Sequence, residues 1–297
     1  MVVDYMINKI EQLLNDVLSK YPKIKAFIKR IYQVTCWIMS PKEKSSMGLI
    51  RVTPNEYEHL FGYYDKSPWD GSQRYMIALR VKNAYKSVAP KEPAEIILID
   101  TEREYNYQKI ALTNSWNIQQ GCMLQWLGPE FSKNVIYNDF RNGNYCSVIL
   151  DVFTGKSKVL PMPVYSVTLD GKQALSLDFS RLHRMRPGYG YANLPDKTKG
   201  EHCPDEPCIW RINLETGVII PILYYKDLVV FEHRPEMDGA EHKVNHIMIN
   251  PSGTRFMVLH RWFKGTIKYT RLLTANIDGS DLFNLSDDNM VSHCWWK

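Results

Sequence analysis

Ile247-Met-Ile-Asn-Pro-Ser-Gly-Thr-Arg-Phe-Met-Val-Leu259 reads as a short apolar strand, a tight turn on Asn250–Gly253 and a second apolar strand. The pattern returns at Val167-Thr-Leu-Asp-Gly-Lys-Gln-Ala-Leu-Ser-Leu177, and looser copies span Tyr64–Leu79 and Cys122–Tyr137. Each copy is followed by a strand that runs into another turn: Ile97–Asp100, Ile149–Gly155, Trp210–Gly217 and Leu272–Gly279. Repeated antiparallel units of about four strands are the signature of a β-propeller. The turn residues Asp100, Asp151, Asn213 and Asn276 recur at roughly fifty to sixty residues, the length of one blade. The longer intervals hold insertions, chiefly 181–208, rich in Pro, Gly and charge.

The spacing predicts an all-β fold, a propeller of four-stranded blades. It gives about four blades and the start of a fifth at Val291-Ser-His-Cys-Trp-Trp-Lys297. A propeller that stops on the first strand of a blade leaves a sheet edge unpaired. The reading therefore expects an incomplete propeller, a piece of a longer protein, over 56–297. Ahead of it, residues 1–40 read as a helical segment and 41–55 as a linker. Residues 4–19 carry apolar positions at helical spacing, and 23–38 carry Ile24, Phe27, Ile28 and Ile31 against Lys23, Lys25, Lys29 and Arg30. A basic amphipathic helix of this kind either lies on an anionic membrane surface or packs on the propeller or a partner subunit.

A net charge of +5 allows an anionic partner, but no dense Lys/Arg block with interleaved aromatics points to nucleic acid. No secretory leader opens the chain, and no apolar run is long enough to cross a bilayer as a helix. The six cysteines make no Cys-x-x-Cys pair, so free thiols in a reducing cytoplasm are expected, with peripheral contact at the inner membrane through residues 1–40. Cys203 and Cys208, beside His202, read as a loop cluster or as a pair able to bridge or bind metal. There is no Gly-x-Ser-x-Gly elbow, phosphate-cradling Gly loop or His-Glu-x-x-His helix.

In a propeller the innermost strands converge on a central channel, and their first residues line its mouth. Those residues are Tyr63, ahead of Asp65 and Lys66; Gln119 and Gln120; Tyr165 and Ser166; Asn245 and His246; and Ser292 and His293. Two imidazoles with a Gln or a carboxylate make a donor set for a divalent metal such as Mn²⁺; equally, polar side chains here solvate a water-filled channel. Arg261 has the planar fork that clamps a carboxylate. Its neighbour Trp262 either stacks on a sugar face or packs a blade edge.

Several strings point further: His59-Leu-Phe-Gly-Tyr-Tyr-Asp-Lys-Ser-Pro-Trp-Asp70, Gln119-Gln-Gly-Cys-Met-Leu-Gln-Trp126, Arg186-Pro-Gly-Tyr-Gly-Tyr191, Asn245-His246, His260-Arg-Trp262 and Met290-Val-Ser-His293. Together they resemble bacterial TolB-like propellers similar to oligogalacturonate lyase, many of them encoded beside genes for capsule or other surface polysaccharides. The resemblance implies Mn²⁺ held by His246, His293 and His260. It implies Arg186 and Arg261 as groups that hold carboxylates during β-elimination, and Tyr63, Asp65, Lys66, Gln120, Tyr189 and Trp262 as sugar contacts. Three functions follow as expectations: a binding or scaffold propeller for an anionic oligosaccharide or polysaccharide in surface-polysaccharide biosynthesis, a Mn²⁺-dependent lyase of uronate oligomers, or an inactive fragment of a longer propeller.

Overall fold

The computed structural model describes residues 17–18, 21–40, 48, 50–54 and 56–297. The helix expected over 4–19 lies outside the described residues, apart from 17–18, and so does most of the 41–55 linker. The second expected helix is present as α1 (Pro22–Met39), with Pro22 in its first turn, where the missing N–H costs nothing.

Sixteen strands follow in four separate antiparallel sheets, each a meander in chain order. The first holds β1 (Glu58–Leu60), β2 (Tyr75–Val81), β3 (Ala94–Asp100) and β4 (Asn106–Thr113). The second holds β5 (Gln125–Trp126), β6 (Asn134–Arg141), β7 (Asn144–Asp151) and β8 (Ser157–Leu160). The third holds β9 (Ser166–Val167), β10 (Gln173–Ser176), β11 (Pro207–Asn213) and β12 (Ile219–Tyr224). The fourth holds β13 (Glu241–Ile249), β14 (Arg255–Lys264), β15 (Ile267–Asn276) and β16 (Phe283–Ser286). These are the four expected blades.

Hydrocarbon seals each blade against the next. Alternation along β6 sends Val135 and Tyr137 toward the first blade, where they bury with Leu79, Ile96, Leu98 and Leu124. Ile136, between them, faces the third blade and packs with Ala174 and Ile212. The third and fourth blades meet through Leu175, Ile209, Val244, Phe256 and Val258. The turn inside the 167–177 repeat needs its glycine twice over. Gly171 has φ +69°, and a Cβ there would lie 2.2 Å from the Gly128 carbonyl of the second blade.

The 181–208 insertion opens with α2 (Phe179–Met185), whose first turn Asp178 caps by accepting from the Ser180 and Arg181 N–H groups. Arg181, almost fully buried, ties the insertion to the fourth blade by donating to the His242 carbonyl at 2.9 Å and to Thr198 Oγ1 at 2.8 Å. A second short helix, α3 (Tyr225–Val230), links the third blade to the fourth.

One expectation is corrected. Residues 291–297, read as the opening strand of a fifth blade, form no strand. Side chains hold the segment between two inner runs instead. Trp296 Nε1 donates to the Met248 carbonyl at 3.0 Å, and the Tyr64 hydroxyl donates to the Cys294 carbonyl at 3.1 Å.

Candidate functional site at the channel mouth

The inner runs of all four blades lead away from one end of the axis, so their first residues meet there. Tyr165 stands at the centre of the meeting point. Its hydroxyl accepts from Gln120 Nε2 at 2.6 Å and from the His246 N–H at 3.1 Å, and it donates to Asn245 Oδ1 at 2.9 Å. Three blades are thereby joined through one buried phenol. Around this knot Asp65 Oδ1, Gln120 Oε1 and Asn245 Nδ2 are buried without a protein partner. Asp65 and Lys66 form an ion pair at 2.9 Å with almost no side-chain exposure.

The imidazoles gather above the knot. Tyr63 Oη lies 3.0 Å from His246 Nδ1 and 3.2 Å from His293 Nε2, so one phenol bridges both rings. Tyr189 completes the wall, its ring centroid 6.0 Å from those of Tyr63 and His246. Local backbone geometry aims His246 at this point. β13 and β14 pair from Glu241↔Phe263 to Asn245↔Leu259 and resume at Met248↔Met257, so His246 and Ile247 share the single partner position of Val258. This is a β-bulge, and His246 takes φ +55°, the left-handed region a non-glycine residue enters only under constraint.

Burial, and then the nearby charges of Arg261, Lys243 and Arg186, push the His246 imidazole down to about 2. It is a neutral ring across the physiological range. Burial likewise raises the Tyr63 phenol well above its ordinary value. Arg261 sits on β14 at the edge of this group, and burial followed by the nearby Arg186 lowers it. Arg186 ends α2 with its guanidinium over the Tyr189 ring at 5.5 Å.

Two expected site residues lie elsewhere. His260 is fully buried on the opposite face of β14, its Nε2 3.0 Å from His242 Nδ1 and its Nδ1 accepting from Arg271 Nε at 3.2 Å. Trp262 is buried too and stacks on Tyr269 at 5.7 Å, so it packs the blade edge rather than offering a face to sugar. The remaining expected residues, Tyr63, Asp65, Lys66, Gln120, Tyr189, His246, His293, Arg186 and Arg261, surround the mouth or the channel below it.

The expected Mn²⁺ meets a poor donor set. Among the described residues no three His, Cys, Asp or Glu side chains gather. His246 and His293 meet, but His260 is not brought to them; Gln120 gives its Nε2 to Tyr165 while its Oε1 is left unpartnered. The charges nearest His246 are cations, which oppose a second positive ion. Of the three expected histidine ligands, His246 and His293 meet and His260 stays with His242.

Below the mouth the channel widens into a cavity of about 540 Å³. Trp69, Trp126, Phe131, Val167, Met248 and Trp296 line it, with the Asp65–Lys66 pair at its inner end. Sequence reasoning missed Tyr165 as the hub, and it missed Lys243. The signal was present for Lys243: two-residue alternation along β13 places it on the same face as Asn245.

No family model matches the chain, and no curated protein matches it. Solved structures do. Oligogalacturonate lyase from Vibrio parahaemolyticus is 10% identical at a TM-score of 0.50, with 80% of this chain and 55% of that one covered. TolB from Acinetobacter baumannii is 12% identical at a TM-score of 0.43, covering 80% of this chain and 45% of the other. An oligogalacturonate lyase in complex with manganese is 12% identical at 0.41, covering 83% and 72%. The chain thus spans about half the length of the first two. With its four meander sheets and the likeness to the Vibrio enzyme, the chain has a β-propeller fold similar to that of oligogalacturonate lyase.

Proposed function

We propose that the chain is a carbohydrate-binding propeller that holds an anionic oligosaccharide at the channel mouth, as a binding or scaffold component of surface-polysaccharide assembly. The observation that carries this reading is the meeting of Tyr63, Tyr189, His246 and His293 beside Arg261 and Arg186. Aromatic rings offer faces to the apolar side of a pyranose, and guanidinium forks match carboxylates. Oligogalacturonate lyase acts, by its name, on an anionic oligosaccharide, and only that ligand class is carried over. Titration behaviour supports binding over proton transfer. General acids and bases work best near the operating pH, whereas burial moves Tyr63 up and His246 down, both away from neutrality.

One observation favours a lyase as the second reading. His293 is exposed and touches Tyr63, so a solvent-facing imidazole and a carboxylate-neutralising Arg261 share one mouth. In that case His293 takes the C5 proton of a uronate while Arg261 steadies its carboxylate, the C4=C5 double bond forms as the C4–O bond breaks, and the leaving oxygen takes a proton from water. Titration calorimetry with oligogalacturonate, followed by ultraviolet absorbance of the same mixture, separates the two. Binding without new absorbance is the expected result. Growth of the unsaturated-uronate chromophore would establish the lyase, and the absence of binding would overturn both.

The helix α1 adds a contact of its own. Ile24, Phe27, Ile31 and Trp37 are exposed together with Lys23, Lys29 and Arg30, which supports a peripheral seat on an anionic membrane. No described helix is long and apolar enough to cross a membrane.

A further inference from the structure

The fourth blade carries a patch of positive charge whose one carboxylate in register, Glu241, is already held by Arg184. Strand register sets Lys243, Arg261 and Thr270 side by side across β13, β14 and β15. Two residues further along the same face, Phe263 pairs with Lys268. Arg186 reaches the group from the end of α2: its charge, with those of Arg261 and Lys268, acts on Lys243. Lys243 is 1% exposed and Arg261 7%. Lys243 Nζ donates to the Met185 carbonyl at 3.3 Å, and Arg261 Nε donates to Thr270 Oγ1 at 3.3 Å. Among the described residues, none of these four cations lies in an ion pair.

Elsewhere the same chain pairs its cations. Arg184 meets Asp196 and Glu241, Arg141 meets Asp139, and Lys66 meets Asp65. Arg271, also buried, spends its guanidinium on the Glu232 and Leu228 carbonyls and on His260. A buried ammonium beside a buried guanidinium with no counter-charge is costly, and a fold keeps it where an anion supplies the missing charge.

We infer that Lys243, Arg261, Arg186 and Lys268 form a cradle for a multivalent oxyanion, a ligand with at least two closely spaced negative charges. A diphosphate and the neighbouring carboxylates of an acidic glycan share that chemistry. The inference rests on the carbohydrate-binding reading for the ligand's route into the mouth, and it adds that charge, not ring shape, dominates recognition. Burial and the like charges of Arg261 and Arg186 hold Lys243 well below its ordinary range, and a bound anion would raise it.

The test is calorimetric titration at low salt with inorganic pyrophosphate, digalacturonate and a neutral disaccharide. The proteins are the unaltered chain, Lys243→Met, Arg261→Gln and the surface variant Arg186→Gln, which leaves the buried packing intact. Binding of pyrophosphate or digalacturonate, weakened about tenfold or more by Arg186→Gln and Arg261→Gln, is expected, roughly the loss of one charge-assisted contact. Pyrophosphate alone identifies a diphosphate, and digalacturonate alone identifies acidic glycan. Thermal melts add a readout that a merely structural lysine would not give: Lys243→Met melts higher than the unaltered chain yet loses anion binding. Failure of both anions to bind, or binding unchanged in all three variants, overturns the cradle. Saccharide binding that ignores these substitutions would overturn it and leave the carbohydrate reading standing. Pyrophosphate binding without any saccharide binding would do the reverse.

Discussion

One residue shapes the mouth in a way that alternation alone does not give. On strict two-residue alternation His246 shares a face with Val244, whose partner across the ladder is His260. The sequence therefore suggests that both imidazoles look the same way. The bulge at His246–Ile247 breaks that parity, turning His246 toward Tyr63 while His260 stays with His242. No glycine marks the break, because a histidine itself adopts the left-handed conformation. Tyr63 and Gln120 were legible because each stands at the start of an inner run, whereas His293 reaches the mouth from a segment that forms no strand. Lys268 gives the site a pH dependence. Partial burial acts on this exposed lysine together with like charge from Arg261, Arg186 and Lys25. Together these push it from 10.5 down to about 8. Lys243 on β13 completes the groups facing it. Between about 8 and its ordinary value the folded chain has shed a proton that the unfolded chain keeps, so stability rises with pH across that window. Anion affinity runs the other way, falling as pH rises through about 8 and the lysine loses its charge. Pyrophosphate titrations on both sides of that value check this, and Lys268→Met removes the slope.

Among the elements, α1 was read from the sequence nearly to its ends, because its apolar residues hold helical spacing and Pro22 marks the start. The sequence left open what its apolar face meets. In the structure that face is largely solvent-exposed, Phe27 at 67% and Ile31 at 51%. A juxtamembrane Lys or Arg contributes about 1 kcal/mol near an anionic surface. Neutralising Lys23, Lys29 and Arg30 together should weaken binding to phosphatidylglycerol vesicles by about a hundredfold at low salt. Co-sedimentation measures it, and equal sedimentation of the triple variant, or of a chain lacking residues 1–40, would remove the membrane contact from the proposal. The repeats at 167–177 and 247–259 pair as the sequence predicts, and the one departure is the segment at the end of the chain. Residues 291–297 have the composition of an inner strand, yet they are held by Tyr64 and Met248 through side-chain contacts rather than by a ladder.

At the scale of the whole molecule, the blades are not independent units. Two hydrophobic clusters each join two consecutive blades, and a third draws residues from all four. Leu124, fully buried where the first and second blades meet, therefore stabilises both. Leu124→Ala should cost about 2–5 kcal/mol, in the range of buried leucine truncations. Because the cores interlock, urea unfolding should keep one transition at a lower midpoint. Separate transitions for separate blades would show that the coupling is weak. The repeat itself was legible because the turn signals are local, whereas the charge distribution over the fourth blade was not. Lys243 and Arg261 lie 18 positions apart in sequence, and only the register of β13 against β14 makes them neighbours.

That pair also says something about how this chain would respond to selection. A lysine held almost out of water in a ring of cations works against folding, so many apolar replacements at position 243 should make a sturdier protein. A screen that rewards heat resistance alone would drift there early, and its winners would be well-folded propellers stripped of the proposed anion cradle.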